Sequence, residues 1–243
     1  MKPWEMMRRF GAVSTAPPAG STTASLLHFD GADGSTVFTD ETGKVWTPTA
    51  GPTIDAANKK YGTGCGKFPY ITNANGYLTT PYSDDFAFGS GDFTIQFWVR
   101  WISTTPYYGP VICLDSIGGT RGWRIVKGDT TNILQFAIDT NIDSYVLNDS
   151  GVVPTASMAH YAWVRDGSML RLYRNGVQVA SRSISGSANA PNVPCVVGAL
   201  WALTGPVNNN RLYAYLDDLK VEKGFCQYPG GAAFSPPPGP LAL

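Results

Sequence analysis

Downstream of Ser25, apolar and polar residues alternate in short runs between clusters of Gly, Pro, Asn and Asp, the pattern of β-strands joined by turns. The clearest run is Phe93-Thr-Ile-Gln-Phe-Trp-Val-Arg-Trp101. A side-chain period of two puts Phe93, Ile95, Phe97, Val99 and Trp101 on one face and Thr94, Gln96, Trp98 and Arg100 on the other. Leu134–Ile138 repeats the pattern. His160–Arg165, Met169–Arg174 and Val177–Ala180 read as a meander. Its joints are Asp166-Gly-Ser168 and Asn175-Gly176, the latter supplying both positive φ angles of a type I′ hairpin. Further strands are predicted at Leu26–Phe29, Val45–Thr47, Tyr77–Thr79, Val111–Leu114, Trp123–Lys127, Ser144–Leu147, Val196–Leu200 and Tyr213–Val221. So many short strands fit two stacked sheets, and the fold class is all-β. Phe234-Ser-Pro-Pro-Pro-Gly-Pro240 cannot join a ladder, because proline lacks the donor, and is expected to run extended over the surface.

Composition narrows this further. The chain has 27 glycines and 18 prolines in 243 residues, 12% aromatic residues, and only 15% charged residues, which leaves long amphipathic helices little to build on. A formal net charge of +0 argues against an electrostatic nucleic-acid binder, which needs a surplus of Lys and Arg on one face. Cys65, Cys113, Cys195 and Cys226 form no Cys-x-x-Cys pair, which speaks against a zinc site, and they are expected to be reduced and buried. No run of about 18 apolar residues is present to span a membrane, and the polar, proline-broken Gly11–Pro18 does not make the apolar region of an export signal. Residues 1–24 stand apart: a short helix predicted over Pro3–Phe10 is followed by a Ser/Thr/Ala/Pro/Gly-rich linker. Trp4, Met6, Met7 and Phe10 offer apolar anchors for a partner. The expected organisation is an arm and linker over 1–24 and one β domain over 25–243.

Several segments, in order, carry a resemblance. They are Leu26-Leu-His-Phe-Asp-Gly31, Phe38-Thr-Asp-Glu-Thr-Gly-Lys-Val-Trp46, Gly76-Tyr-Leu78, Phe86-Ala-Phe-Gly-Ser-Gly-Asp-Phe-Thr-Ile-Gln-Phe-Trp-Val-Arg100, His160-Tyr-Ala-Trp-Val-Arg-Asp-Gly167, Leu172-Tyr-Arg-Asn-Gly176 and Leu216-Asp-Asp-Leu-Lys-Val-Glu-Lys-Gly-Phe225. Together they resemble the laminin-G-like, concanavalin A-like jelly-roll domains common in tailed-phage virion proteins. The resemblance implies a sandwich of two antiparallel sheets, one concave and one convex, and a virion setting, with synthesis in the host cytoplasm. One departure is at the close, where such domains often carry an arginine and this chain has Gln227.

Because concanavalin A-like folds include glucanases, hydrolysis comes first among the candidate chemistries. A glycosidase needs two carboxyl groups facing one substrate, and those glucanases carry them in a Glu-x-Asp-x-x-Glu strand. Only Glu5, Glu41 and Glu222 are present, none in that motif; Asp84-Asp85 and Asp217-Asp218 remain, and strand neighbours are expected to point to opposite faces. His28 and His160 lack a nucleophile signature and are expected as buried or half-buried, hydrogen-bonded residues. Gly62-Thr-Gly-Cys-Gly66 lacks the lysine of a phosphate loop and reads as a bend or bulge. Calcium is the one cofactor left open, with Asp115, Asp139, Asp143 and Asp149 in loop-like stretches, though without EF-hand spacing. Sugar binding would use rings exposed on loops beside amides or carboxylates; Tyr107, Tyr108, Trp201 and Asn209, within Asn208-Asn-Asn210, are the candidates.

Low charge and surplus aromatics suit a surface buried against other subunits or copies of itself. The expected function is therefore a non-enzymatic capsid decoration or accessory particle protein, docked by its arm on other virion proteins and self-associating. The alternative is a tail or fibre module recognising host surface glycans. A polysaccharide depolymerase is third, disfavoured by the missing carboxylates.

Overall fold

The computed structural model describes residues 19–70, 76–104, 108–128, 131–207 and 210–243. The helix predicted over 3–10 and its anchors Trp4, Met6, Met7 and Phe10 lie outside the described residues, as do Tyr107 and Asn209. The chain runs through β1 (Thr22–Leu27), β2 (Thr47–Pro48), β3 (Thr53–Asp55), β4 (Cys65–Phe68) and β5 (Leu78–Thr80) to the long β6 (Phe93–Trp101). Then follow β7 (Gly109–Leu114), β8 (Trp123–Lys127), β9 (Leu134–Asp139), β10 (Ser144–Asn148), β11 (Ala159–Asp166), β12 (Met169–Arg174) and β13 (Val177–Ser183). The last are β14 (Cys195–Val197), the small hairpin β15 (Trp201–Ala202) and β16 (Gly205–Pro206), and β17 (Ala214–Lys223).

Two antiparallel sheets form a jelly-roll sandwich. One, of eight strands, runs β13-β12-β11-β6-β17-β4-β3, with β1 also on β17; the other, of seven, runs β10-β9-β8-β7-β14-β5-β2. The alternation in β6 fixes the register: Phe93, Ile95, Phe97, Val99 and Trp101 enter the space between the sheets and pack with Trp123, Ile125, Phe136 and Ile138 from the opposite layer. Phe88 stacks between Phe93 (4.4 Å) and Trp123 (5.2 Å), while Trp163 meets Phe93 and Phe136 edge-on. These rings tie the two sheets together across the core.

The meander appears as expected. Asn175 and Gly176 both take positive φ, and the turn joins β12 to β13. β17 departs from simple alternation: its pairing with β6 shifts register between Asp217 and Lys220, and Asp218 takes φ 48°. This bulge lets one strand serve two partners along the same edge, β4 against residues 214–216 and β1 against 219–223. Leu216 and Leu219 both enter the core, so the bulge leaves Asp217 and Asp218 together on the outer side of the sheet; the expectation that they point to opposite faces fails, and both side chains are buried. β1 begins at Thr22, inside the segment read as linker, because Thr22 and Thr23 pair with Lys223 and Glu222. β3 and β4 were not foreseen, and part of the glycine cluster proves to be strand.

Residues 225–243 make no strand and lie across the outer face of the eight-stranded sheet. Tyr228 stacks on Phe234 at 3.7 Å, and both rings contact His160 and Tyr173. The Tyr173 hydroxyl donates to the Tyr228 carbonyl (2.9 Å), that of Tyr228 to Gln96 (2.8 Å), and the Leu241 N–H to Asp218 (3.1 Å). Gln227 accepts from the Gln96 amide (2.8 Å), so two neutral amides meet at this position.

Candidate functional site

On the outer face of the seven-stranded sheet, Cys113, Val126 and Val196 form a small apolar floor with Ala199 and Leu200. Half-buried Tyr77, Tyr108, Ile117, Trp201 and Val207 pack on it. This floor follows from the strand period, since the neighbouring Ile112, Ile125 and Val197 point into the core. Trp201 is placed by the β15–β16 hairpin. Its carbonyl accepts from the Ile117 N–H (2.9 Å), and the hairpin closes through Val207 N–H to the Leu200 carbonyl (2.9 Å). The Tyr77 and Trp201 rings meet edge to face, 6.4 Å between centroids. Leu203 at the hairpin tip is 66% exposed.

A polar row borders these rings. Asp115, fully buried, accepts a bidentate pair from Arg121 (Nε 2.8 Å, Nη2 2.6 Å) and a third bond from the Gly122 N–H (2.9 Å). Arg124 Nη1 lies 3.7 Å from Asp115 and 2.7 Å from Asp139, whose other oxygen takes the Ser144 hydroxyl. The Asp115 bonds raise the pKa of Arg121, and the Tyr108 phenol is close enough to add to the effect. Half-exposed aromatic faces beside a fixed guanidinium–carboxylate pair match the chemistry of a sugar, which offers apolar C–H faces and a rim of hydroxyls.

Of the sugar-binding candidates, the structure brings Tyr108 and Trp201 together. It adds Tyr77 and Arg121, for which strand alternation and the Gly118-Gly119 turn after Asp115 are the only signals in the sequence. The calcium candidates do not converge. Asp115 and Asp139 are engaged by arginines, Asp143 is exposed in the β9–β10 turn and accepts from the Ser144 N–H (2.7 Å), and Asp149 accepts from Tyr161 (2.7 Å) and Arg174 (3.1 Å). Among the described residues no group of three or more His, Cys, Asp or Glu side chains is placed to hold a metal. The cysteines are all buried and free, and burial pushes the Cys65 and Cys226 thiols up to about 12.

His28 pairs with Asp218 through Nδ1 at 2.5 Å, a bond that raises the pKa of the imidazole. His160 lies under the tail and is pushed down to about 3 by burial alone. Glu222 is buried against Lys220 at 2.8 Å. Two cavities open away from the aromatic cluster. One, ≈ 430 Å³, lies over Phe38 and Trp46, where Asp40 is occupied by Ser25, Thr42 and the Trp46 indole. The other, ≈ 420 Å³, is bordered by Lys59, Lys60 and Arg100. Neither holds a pair of carboxyl groups.

No curated protein matches the sequence. Among solved structures, the binding domain of paraclostridial mosquitocidal protein 1 is similar with a TM-score of 0.64 at 16% identity, over 84% of this chain and 50% of that one. The receptor-binding domain of botulinum neurotoxin type G gives 0.55 at 16% identity, over 85% and 49%. The binding domain of botulinum neurotoxin DC, in complex with SialylT, gives 0.58 at 15% identity, over 84% and 48%. At these identities the likeness is one of fold, and the chain spans about half the length of each structure. Residues 72–224, more than half of the sequence, match a family directly. The chain belongs to the concanavalin A-like lectin/glucanases superfamily.

Proposed function

We propose that this protein is a non-catalytic receptor-binding module that takes a glycan on the outer face of its seven-stranded sheet. The observation that carries the reading is the convergence of Tyr77, Tyr108 and Trp201 beside the Arg121–Asp115 pair. Similarity in fold to toxin binding domains supports it. So do the enclosed carboxyl groups: Asp217 and Asp218 are sealed beneath the loop after β3 and the tail, and Glu222 is tied to Lys220. The setting we propose is a phage particle, on the strength of the sequence resemblance, at a tail or fibre tip rather than on the shell. The shell-decoration reading rests on arm anchors outside the described residues.

A glycan array probed with the full chain tests this. Trp201→Ala is expected to weaken the hits on the order of tenfold or more without unfolding the protein, since the ring packs on the sheet from outside. An array with no hits, or hits unchanged by the substitution, would remove the reading. Deleting residues 1–18, which lie ahead of β1, separates it from arm docking: binding should survive, and loss of particle loading with glycan binding intact would restore the decoration role.

A further inference from the structure

The ≈ 420 Å³ cavity lies at one end of the eight-stranded sheet, on the opposite layer from the aromatic cluster. Asn58, Lys59 and Lys60 come from the loop after β3, Arg100 from the end of β6, and Ser157 and Met158 from the segment entering β11. The loop is built in place. Asp55 accepts from the Ala57 N–H (3.0 Å), the Asn58 N–H (2.9 Å) and the Asn58 side-chain amide (2.8 Å), and Asp217 accepts from the Lys60 N–H (2.6 Å). Both carboxyl groups therefore stand behind the loop, bonded to its backbone, and none lines the cavity.

Among the described residues the three cations make no ion pair. Lys59 Nζ donates to the Ala56 carbonyl at 2.8 Å, and Lys60 Nζ sits over the Trp98 ring at 4.2 Å. The Arg100 guanidinium lies 4.6 Å from the Tyr215 ring centroid and donates to Asn58 Oδ1. Elsewhere Lys44, Arg121, Arg124, Arg171, Arg174 and Lys220 each meet a carboxylate within 3.5 Å. Gathering three unpaired positive charges around a concavity costs mutual repulsion that an incoming anion relieves. A cavity of this size falls in the range of small-ligand sites.

We propose that this cavity is a second ligand site, selective for an anionic saccharide whose carboxylate or sulfate is held by Lys59, Lys60 and Arg100. Asn58 and Ser157 meet its hydroxyls, and Met158 supplies an apolar contact. That the anion is carried on a sugar rests on the binding function proposed above; the charge selectivity rests on the cavity alone.

The test is a glycan array carrying matched sialylated, uronate-containing, sulfated and neutral glycans, followed by titration of the best acidic hit into the full chain at two salt concentrations. The expected result is preferential binding of acidic glycans, weakened by salt. The exposed pair Lys59→Glu/Lys60→Glu should lower that affinity on the order of tenfold or more, and Lys59→Glu alone by less. Thermal melting checks that each variant is folded. The carboxylate and sulfate arms identify which anion is preferred. No preference for acidic over neutral glycans, or unchanged affinity in folded Lys59→Glu, overturns the site. Trp201→Ala separates the two proposals: acidic binding that persists in Trp201→Ala and is lost in the lysine variants supports this site, while the aromatic site falls only if every hit on the array is unchanged in Trp201→Ala; acidic binding lost in Trp201→Ala and intact in the folded lysine variants overturns this site.

Discussion

Burial pushes the carboxyl of Asp217 up to about 7, against the Lys60 and Tyr61 N–H donors that favour its charged form. The neighbouring Asp218 charge adds to the rise, and the His28–Asp218 pair, Tyr61 and Cys65 are the other titratable groups close by. The unfolded chain releases this proton near 3.9. Between those values the folded state holds a proton that the unfolded state has lost, so the group's stabilising contribution is complete at low pH and disappears as pH rises through about 7. Asp217→Asn keeps an oxygen for both N–H donors and never ionises. The stability of Asp217→Asn relative to the parent should therefore climb from pH 4.5 to pH 8, by on the order of a few kcal/mol. Denaturant melts across that range measure it, and a difference that stays constant with pH would sink the assignment.

At the level of elements, the β12–β13 hairpin shows why a local signal was readable. Asn175-Gly176 demands positive φ at two successive residues, and Gly176 has a second constraint: a Cβ there would lie 1.8 Å from the Phe234 carbonyl oxygen. Gly176→Ala should thus strain the turn and lift the tail together. The expected loss is about 2 kcal/mol or more in a urea melt, and less than about 0.5 kcal/mol would contradict the packing. Strands with a strong period of their own were equally legible, Trp123–Lys127 and Met169–Arg174 appearing with the predicted bounds. Those defined by distant partners were not. β3 and β4 are too short to show a period and exist because they pair with each other and with β17. The strand predicted over Val196–Leu200 stops at Val197 because Gly198 turns the chain at φ 97°, close to the Gly76 carbonyl. The same distinction governs the sites. Trp201 and Tyr108 announced themselves as aromatics in loops, whereas Tyr77 and Arg121, and likewise the Lys59–Lys60–Arg100 group, are brought together only by pairing between strands far apart in the sequence.

For the whole molecule, the tail decides which surfaces are open. Residues 225–241 cover the outer face of the eight-stranded sheet, fixed by Phe225 accepting from Thr94 (2.8 Å), the Tyr61 hydroxyl donating to Pro237 (2.5 Å) and Leu241 donating to Asp218 (3.1 Å). This leaves the face of the other sheet and the cavity at the strand ends for ligands. The buried reporter of the seal is His160, whose Nε2 reaches only Gln96 (3.2 Å) and whose ring is enclosed by Trp98, Tyr228 and Phe234. Burial depresses its pKa to about 3, against about 6.5 in an unfolded chain. Its neutral form therefore stabilises the fold fully above about 6.5, and that contribution is lost as pH falls toward 3. Truncating the chain before Phe225 should return the His160 titration toward 6.5 in a proton NMR experiment and flatten this part of the acid response. Phe234→Ala, which removes one ring and leaves the backbone bonds, should move it part of the way. A histidine that stays neutral to pH 4 in both folded variants would mean that the sheet, and not the tail, holds water away from it.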